Sequence, residues 1–397
     1  MVILARPTAQ MKILQKFRAL YRHCVRGFIL PVMLLAVFNS PLYAKAVTLV
    51  KITAFAGATN FNDIMNISGI VMSSLIVKSS GNKNVRGYLE LSSQIADTVS
   101  FDIPRAYIKV RFPKFRVTLG KNRVSWGEGF LFNSGDVIFE GADLIQNLSY
   151  NDLRAETAWL ADFYIPLGLF SFAEAIALPF PANAASGTAA SLVPWDSGRY
   201  GGRLAAELAG IKLEAGGIYG KVKIKPYISI QGHLFADLYA DCGIILPESV
   251  WDGPEAADIF NSFKRSVKDT LTVTGGFFRQ FNANPYGAVT VRTEVKLLPY
   301  GEWKQAESAV SGVDPGYGLY IYPELIYAPD STLSLSIRSL VSPIDLSGIF
   351  FSGLSWNIYQ GLNILIQGAV QFGEESDIWG WGRNGSLSCA LGLEYRY

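Results

Sequence analysis

Two groups of charged residues have the types and spacing to act on a solute. In the segment PRAYIKVRF, Arg105, Lys109 and Arg111 share one parity with Tyr107, while Ala106, Ile108, Val110 and Phe112 take the other. That is the two-residue period of a strand with one polar and one apolar face. A turn at Pro113-Lys114 sets Arg111 opposite Arg116, and Arg86, at the start of VRGYLELSSQI, is expected near Arg111. Like charges so close repel, so they need a counter-charge or an anionic ligand, and Asp162 is the candidate counter-charge. A bulge at Gly120 is expected to shift the side-chain phase and add Lys121 and Arg123 to the stripe. The chemistry implied is electrostatic guidance of an anion; the competing reading is a solvated interior with scattered ion pairs.

The second group lies in LGKNRVSWGEGFLFNSGDVIFEGADLIQ, where Trp126 precedes the acids Glu128, Asp136, Glu140 and Asp143. Glycines permit irregular backbone and aromatics favour packing, a composition suited to a long functional loop. Folded inward, the loop is expected to set its acids across from the basic stripe and form a constriction; folded outward, it is a surface loop.

Other chemistries lack their residues. His233 is the sole histidine beyond the N-terminal leader, so neither a Ser/His/acid group at an outer rim nor a metal cluster is expected, and Cys242 and Cys389 make no disulfide framework. GKVKIKP is too short a basic run for nucleic acid, no phosphate-cradling glycine loop occurs, and no cofactor is expected.

The elements that must position these residues begin after an address segment. Residues 1–44 combine Arg6, Lys12, Lys16, Arg18, Arg22 and Arg26 with the apolar GFILPVMLLAVF and a small residue at Ala44, the pattern of a cleaved secretory signal peptide. Residues 45–397 are expected to form one domain. Hydrophobic residues make up 50% of the chain and charged residues 17%, with 24 Phe, 19 Tyr, 38 Gly and a net charge of +2. Beyond the leader, however, Asp162, Pro166, Glu174 and Pro179 break even the most helix-like run, AWLADFYIPLGLFSFAEAIALPF. An apolar chain without spanning helices fits an all-β transmembrane antiparallel barrel better than a soluble sandwich.

Turn spacing gives about eighteen strands, with sixteen the alternative, once the stretch from Lys221 to Leu246 is split near Gly232-His233. Tight connections, at Pro113-Lys114, Ala209-Gly210 and Tyr359-Gln360-Gly361 among others, alternate with long ones, and EAADIFNSFKR within a long one reads as a short helix. Both termini are then periplasmic. The final LSCALGLEYRY alternates to its last residue, so it is expected to close the barrel against the first strand and to serve as a signal to the outer-membrane assembly machinery, with outer-membrane lipids around the wall.

On these residues the segment LGKNRVSWGEGFLFNSGDVI, with Arg123, Trp126, Gly127 and Glu128, resembles the strand and loop of alginate-export-type and related substrate-selective outer-membrane channels. The resemblance implies a porin-like channel, not an enzyme, passing small hydrophilic, anionic or sugar-like solutes through an arginine-lined pore. The alternatives are a plugged barrel acting as a surface adhesin or structural protein, and an outer-membrane lipid hydrolase.

Overall fold

The computed structural model describes residues 46–61, 64–79, 83–139, 156–179, 198–220, 223–247, 256–305, 315–374, 376–380 and 387–397. The leader therefore lies outside the described residues. The strands in chain order are β1 (Ala46–Phe61), β2 (Ile64–Ser79), β3 (Val85–Ile95), β4 (Val99–Arg111), β5 (Arg116–Asn122), β6 (Ala158–Pro166), β7 (Phe172–Leu178), β8 (Arg199–Leu208) and β9 (Ile211–Gly220). There follow β10 (Lys223–His233), β11 (Asp237–Gly243), β12 (Thr272–Asn284), β13 (Gly287–Leu297), β14 (Leu319–Ala328), β15 (Leu333–Ser342), β16 (Ser347–Tyr359), β17 (Leu362–Phe372) and β18 (Leu387–Arg396). After a break at Ile244 and Ile245, β11 resumes against the same partner as Leu246–Pro247, so the two pieces are one crossing and the closed antiparallel barrel has 18 strands. This settles the count against sixteen.

Closure runs from Lys51 opposite Arg396 to Asn60 opposite Leu387, and Val50 and Tyr397 exchange two backbone bonds of 2.9 Å beyond it. No sheet edge is left there, the condition for a sheet to cross lipid. Alternation assigns the two faces. Leu387, Leu391, Leu393 and Tyr395 of β18 are exposed on the outside, while Glu394 is buried inside against Thr53 and Lys51. On β13, Val289, Val291 and Val295 face out, and Arg292, Glu294 and Lys296 face in beside Glu324, Tyr322 and Tyr320 of β14.

All the long connections lie at one rim, but short turns lie there too, between β1 and β2, β3 and β4, β9 and β10, and β15 and β16. The β10 to β11 turn is Leu234–Ala236, one residue beyond the expected split. The helix-like run that starts at Ala158 forms two strands, β6 and β7, and a helix, α1 (Ala256–Thr270), sits between β11 and β12.

Gly120 departs from expectation. Its φ is +128°, yet the pairing runs through it unbroken, with Tyr107 opposite Gly120 and Ala106 opposite Lys121. A Cβ there would lie 2.1 Å from the Ala106 carbonyl oxygen, so glycine is required by close approach of β4 rather than by an inserted residue. The irregularity of this region falls instead in the β3–β4 pair, where the register slips between Glu90, opposite Arg105, and Ser92, opposite Asp102.

Candidate solute path and inward loop

The ladder through β3, β4 and β5 places the basic side chains. Arg86 faces Lys109, Glu90 faces Arg105, and Arg111 faces Arg116. Arg86 is thus one rung away from the Arg111 pair, near it as expected and opposite Lys109. Arg116 lies over the Tyr164 ring at 4.0 Å, an attraction that offsets part of the repulsion from Arg111. Tyr88 and Tyr107 stack at 5.3 Å between the Arg86–Lys109 and Glu90–Arg105 rungs. Asp162 is buried opposite Thr118, two positions along from Arg116's partner Tyr164 and on the same face.

Lys121 and Arg123 do not extend this patch as free charges. Lys121 meets Asp102 at 3.4 Å, and Arg123 meets Glu156 at 3.3 Å and Asp136 at 3.5 Å.

Beyond β5 the chain turns inward and crosses the lumen. Trp126 is fully buried, packing with Ile176, Leu178, Ile218 and Tyr227 of the wall, and its indole nitrogen donates to Glu174 at 3.1 Å. The following backbone then donates to carboxylates on successive alternate strands. Gly127 bonds Glu214 of β9 at 3.2 Å; Glu128 and Gly129 bond Asp241 of β11 at 3.3 and 3.1 Å. Phe130, Leu131 and Phe132 bond Glu294 of β13 at 2.5, 2.6 and 2.9 Å, and Ser134 bonds the Thr274 hydroxyl at 3.3 Å. Each N–H to a carboxylate contributes about 1.5–3 kcal/mol, because the acceptor is charged and water is excluded. The carboxylates have further donors: Arg203 and Tyr227 on Glu214, at 3.0 and 2.5 Å, and Tyr239 on Glu294.

Two apolar contacts finish the attachment. Val124, Trp126, Val137 and Ile138 pack on the β6 to β10 wall, and Leu131 and Phe132 pack against Tyr317, Tyr320, Tyr322, Leu340 and Phe351. Within the loop, the Asn133 amide donates to the Trp126 and Gly129 carbonyls at 3.0 Å each, which holds the bend.

The loop acids meet partners other than the expected ones. Glu128 pairs with Lys212 on β9, and Asp136 pairs with Arg123 at the loop's own root, so neither is brought to the Arg111–Arg116 patch. Glu140 and Asp143 lie outside the described residues. The residues that sequence reasoning missed are the wall acids Glu174, Glu214, Asp241 and Glu294. Each sits on the polar side of an alternating strand, a signal of lumen placement but not of what it meets there.

The contacts described for the loop fall on β6 to β16. The facing arc, β17 through β1 to β5, carries the basic rungs together with Lys51, Thr53 and Glu394. His233 is exposed at the short-turn rim, bonded to Asp237 at 2.7 Å. Among the described residues there is no cluster of His, Cys, Asp and Glu suited to a metal.

No family model matches the chain, and neither does any curated protein. Solved structures do. OccAB3 of Acinetobacter baumannii aligns over 89% of this chain and 99% of its own, at 10% identity and a TM-score of 0.52. OccK2 (OpdF) of Pseudomonas aeruginosa, solved in complex with glucuronate, aligns over 89% and 98%, at 12% identity and a TM-score of 0.52. A BenF-like porin from Pseudomonas fluorescens Pf-5 aligns over 89% and 98%, at 11% and 0.51. These likenesses rest on fold alone. An eighteen-stranded barrel with an inward loop, similar to these proteins over nearly all of their length, has the fold of a bacterial outer-membrane porin.

Proposed function

We propose that this chain is an outer-membrane channel that passes small hydrophilic solutes, with a preference for anionic or sugar-like ones, without bond chemistry. The observation that carries the reading is the division of the lumen: the loop packs on the β6 to β16 wall, while the arc left to a solute bears the Arg86–Lys109 and Arg111–Arg116 rungs. Unneutralised cations beside a narrowed aqueous path lower the barrier for anions and raise it for cations. The glucuronate bound by OccK2 supports a sugar acid as one such solute.

The same reading makes residues 1–44 a cleaved signal peptide, puts both termini in the periplasm, and gives β18 a role in recognition by the assembly machinery. The loop acids Glu128 and Asp136 then tune the constriction through Lys212 and Arg123.

Single-channel recording of residues 45–397 in a planar bilayer under a KCl gradient tests it. Discrete openings with anion preference are expected, moving toward cations in Arg111→Glu/Arg116→Glu. An unchanged reversal potential removes the basic rungs from the mechanism. Insertion without conductance favours a plugged barrel whose long loops bind a partner.

A further inference from the structure

The short-turn rim is not uniform. Around β14 to β17 and β2 to β5 its turns carry Lys83, Asn84, Lys114, Asp330, Thr332 and Gln360, with single exposed aromatics, Phe112 and Tyr359, at two of them, and the β12–β13 turn exposes Tyr286. Asp330 is fixed there by hydrogen bonds from the Thr332 N–H at 2.6 Å, the Thr332 hydroxyl at 2.7 Å and the Leu333 N–H at 3.0 Å, an arrangement suited to water. Between β6 and β11 the three consecutive turns on the same rim are apolar. The β6–β7 turn exposes Leu167, Leu169 and Phe170, with Leu169 at 95% exposure. The β8–β9 turn is flanked by exposed Leu208 and Ile211, and the β10–β11 turn exposes Leu234 and Phe235.

Two further observations concern the same arc. Its first two strands are short: β6 has 9 residues and β7 has 7, against 10, 10 and 11 in β8, β9 and β10. A crossing strand needs ~9 to 11 residues, so β7 falls below the span of the hydrocarbon, as β5 does next to this arc. The apolar turn is also continuous with the outer wall, because Leu167 lines the same surface groove as Leu204, Leu213, Ile228 and Ile230.

We propose that the turns joining β6 to β7, β8 to β9 and β10 to β11 form a lipid-inserted surface, seated in the hydrocarbon boundary of the leaflet nearer the short-turn rim. β7 crosses only part of the bilayer, and the turn side chains of this arc complete the apolar belt. The polar turns of the other arc stand in water. The barrel is therefore seated deeper on its β6 to β11 side, the side on which the inward loop packs. A protein partner on the same patch is the outcome that the test must separate, since exposed apolar patches also mark such sites.

The proposal rests on the outer-membrane reading, and site-directed spin labelling of the barrel in phospholipid vesicles separates the failure of either. With Cys242 and Cys389 changed to Ala, nitroxides are placed by Leu169→Cys and Phe235→Cys, with Ser331→Cys as the polar-turn control and Ile228→Cys as the wall control. Relaxation by oxygen reports lipid, and relaxation by a water-soluble nickel complex reports water. Oxygen is expected to dominate at positions 169, 235 and 228, and nickel at 331. Nickel dominance at 169 and 235 with oxygen dominance at 228 overturns the lipid-inserted surface and leaves a water-facing patch for a protein. Nickel dominance at 228 as well overturns the membrane reading itself.

Discussion

Glu294 illustrates how much a single lumen residue can determine. Its place on the inner face follows from the alternation of AVTVRTEVKL, a local pattern legible in the sequence. Its partners were not legible, because Phe130 and Glu294 are separated by 164 positions and meet only when the barrel has closed. The same holds for Gly127 and Glu214, 87 positions apart. In Glu294→Gln an acceptor oxygen remains but the charge does not. The three amides are then expected to lose about 1.5–3 kcal/mol of protection between them, or about 10- to 100-fold faster hydrogen exchange at residues 130–132. Unchanged exchange there would mean that the apolar packing holds the loop without help from the carboxylate. Gly120 poses the opposite problem, since the sequence marks the position but misleads about its reason. With φ at +128° and β4 so near, Gly120→Ala is expected to cost at least about 1–3 kcal/mol, read as a lower denaturant midpoint in refolding titrations.

In the proposed channel, the loop is the element that converts a barrel into a selective path. Its inward course agrees with its glycine and aromatic content, and its attachment has a different source from the one its acids suggest. A loop of this kind has N–H groups that no strand or helix partner takes up, and the wall supplies the charges that accept them. Acids in the loop were conspicuous in the sequence, whereas backbone donors leave no sequence signal at all. Trp126 is the clearest anchor, with the wall residues Ile176, Leu178, Ile218 and Tyr227 around it and Glu174 on its indole nitrogen. Trp126→Ala removes a buried aromatic side chain and leaves Glu174 one donor short, so a loss of about 3–5 kcal/mol is expected. The thermal unfolding midpoint in detergent should fall, and single-channel current should become noisier as the loop root moves. A quiet channel with lowered stability would show that the wall carboxylates alone fix the loop's position.

At the scale of the whole molecule, closure and the inward loop together imply a lopsided lumen. Strand number and face assignment were legible because turn lengths alternate and parity is strict in a closed antiparallel sheet. The lopsidedness was not, since it depends on which arc the loop lies against. On β2, Ser74 faces inward opposite Ser92 of β3, next to the Glu90–Arg105 rung on the arc that carries the basic rungs, whereas Ser229 of β10 lies buried between Glu214 and Asp241 under the loop. In a background lacking Cys242 and Cys389, thiol reagents applied during recording should separate the two sides. At Ser74→Cys and Ser92→Cys, a negatively charged methanethiosulfonate is expected to reduce current and lower anion preference, and a positively charged one to raise that preference. At Ser229→Cys neither should change the current, because no solute passes between loop and wall there. Equal effects at all three positions would mean that ions travel on both sides of the loop, and selectivity would then have to come from Arg203, Lys212 and the wall acids as much as from Arg111 and Arg116.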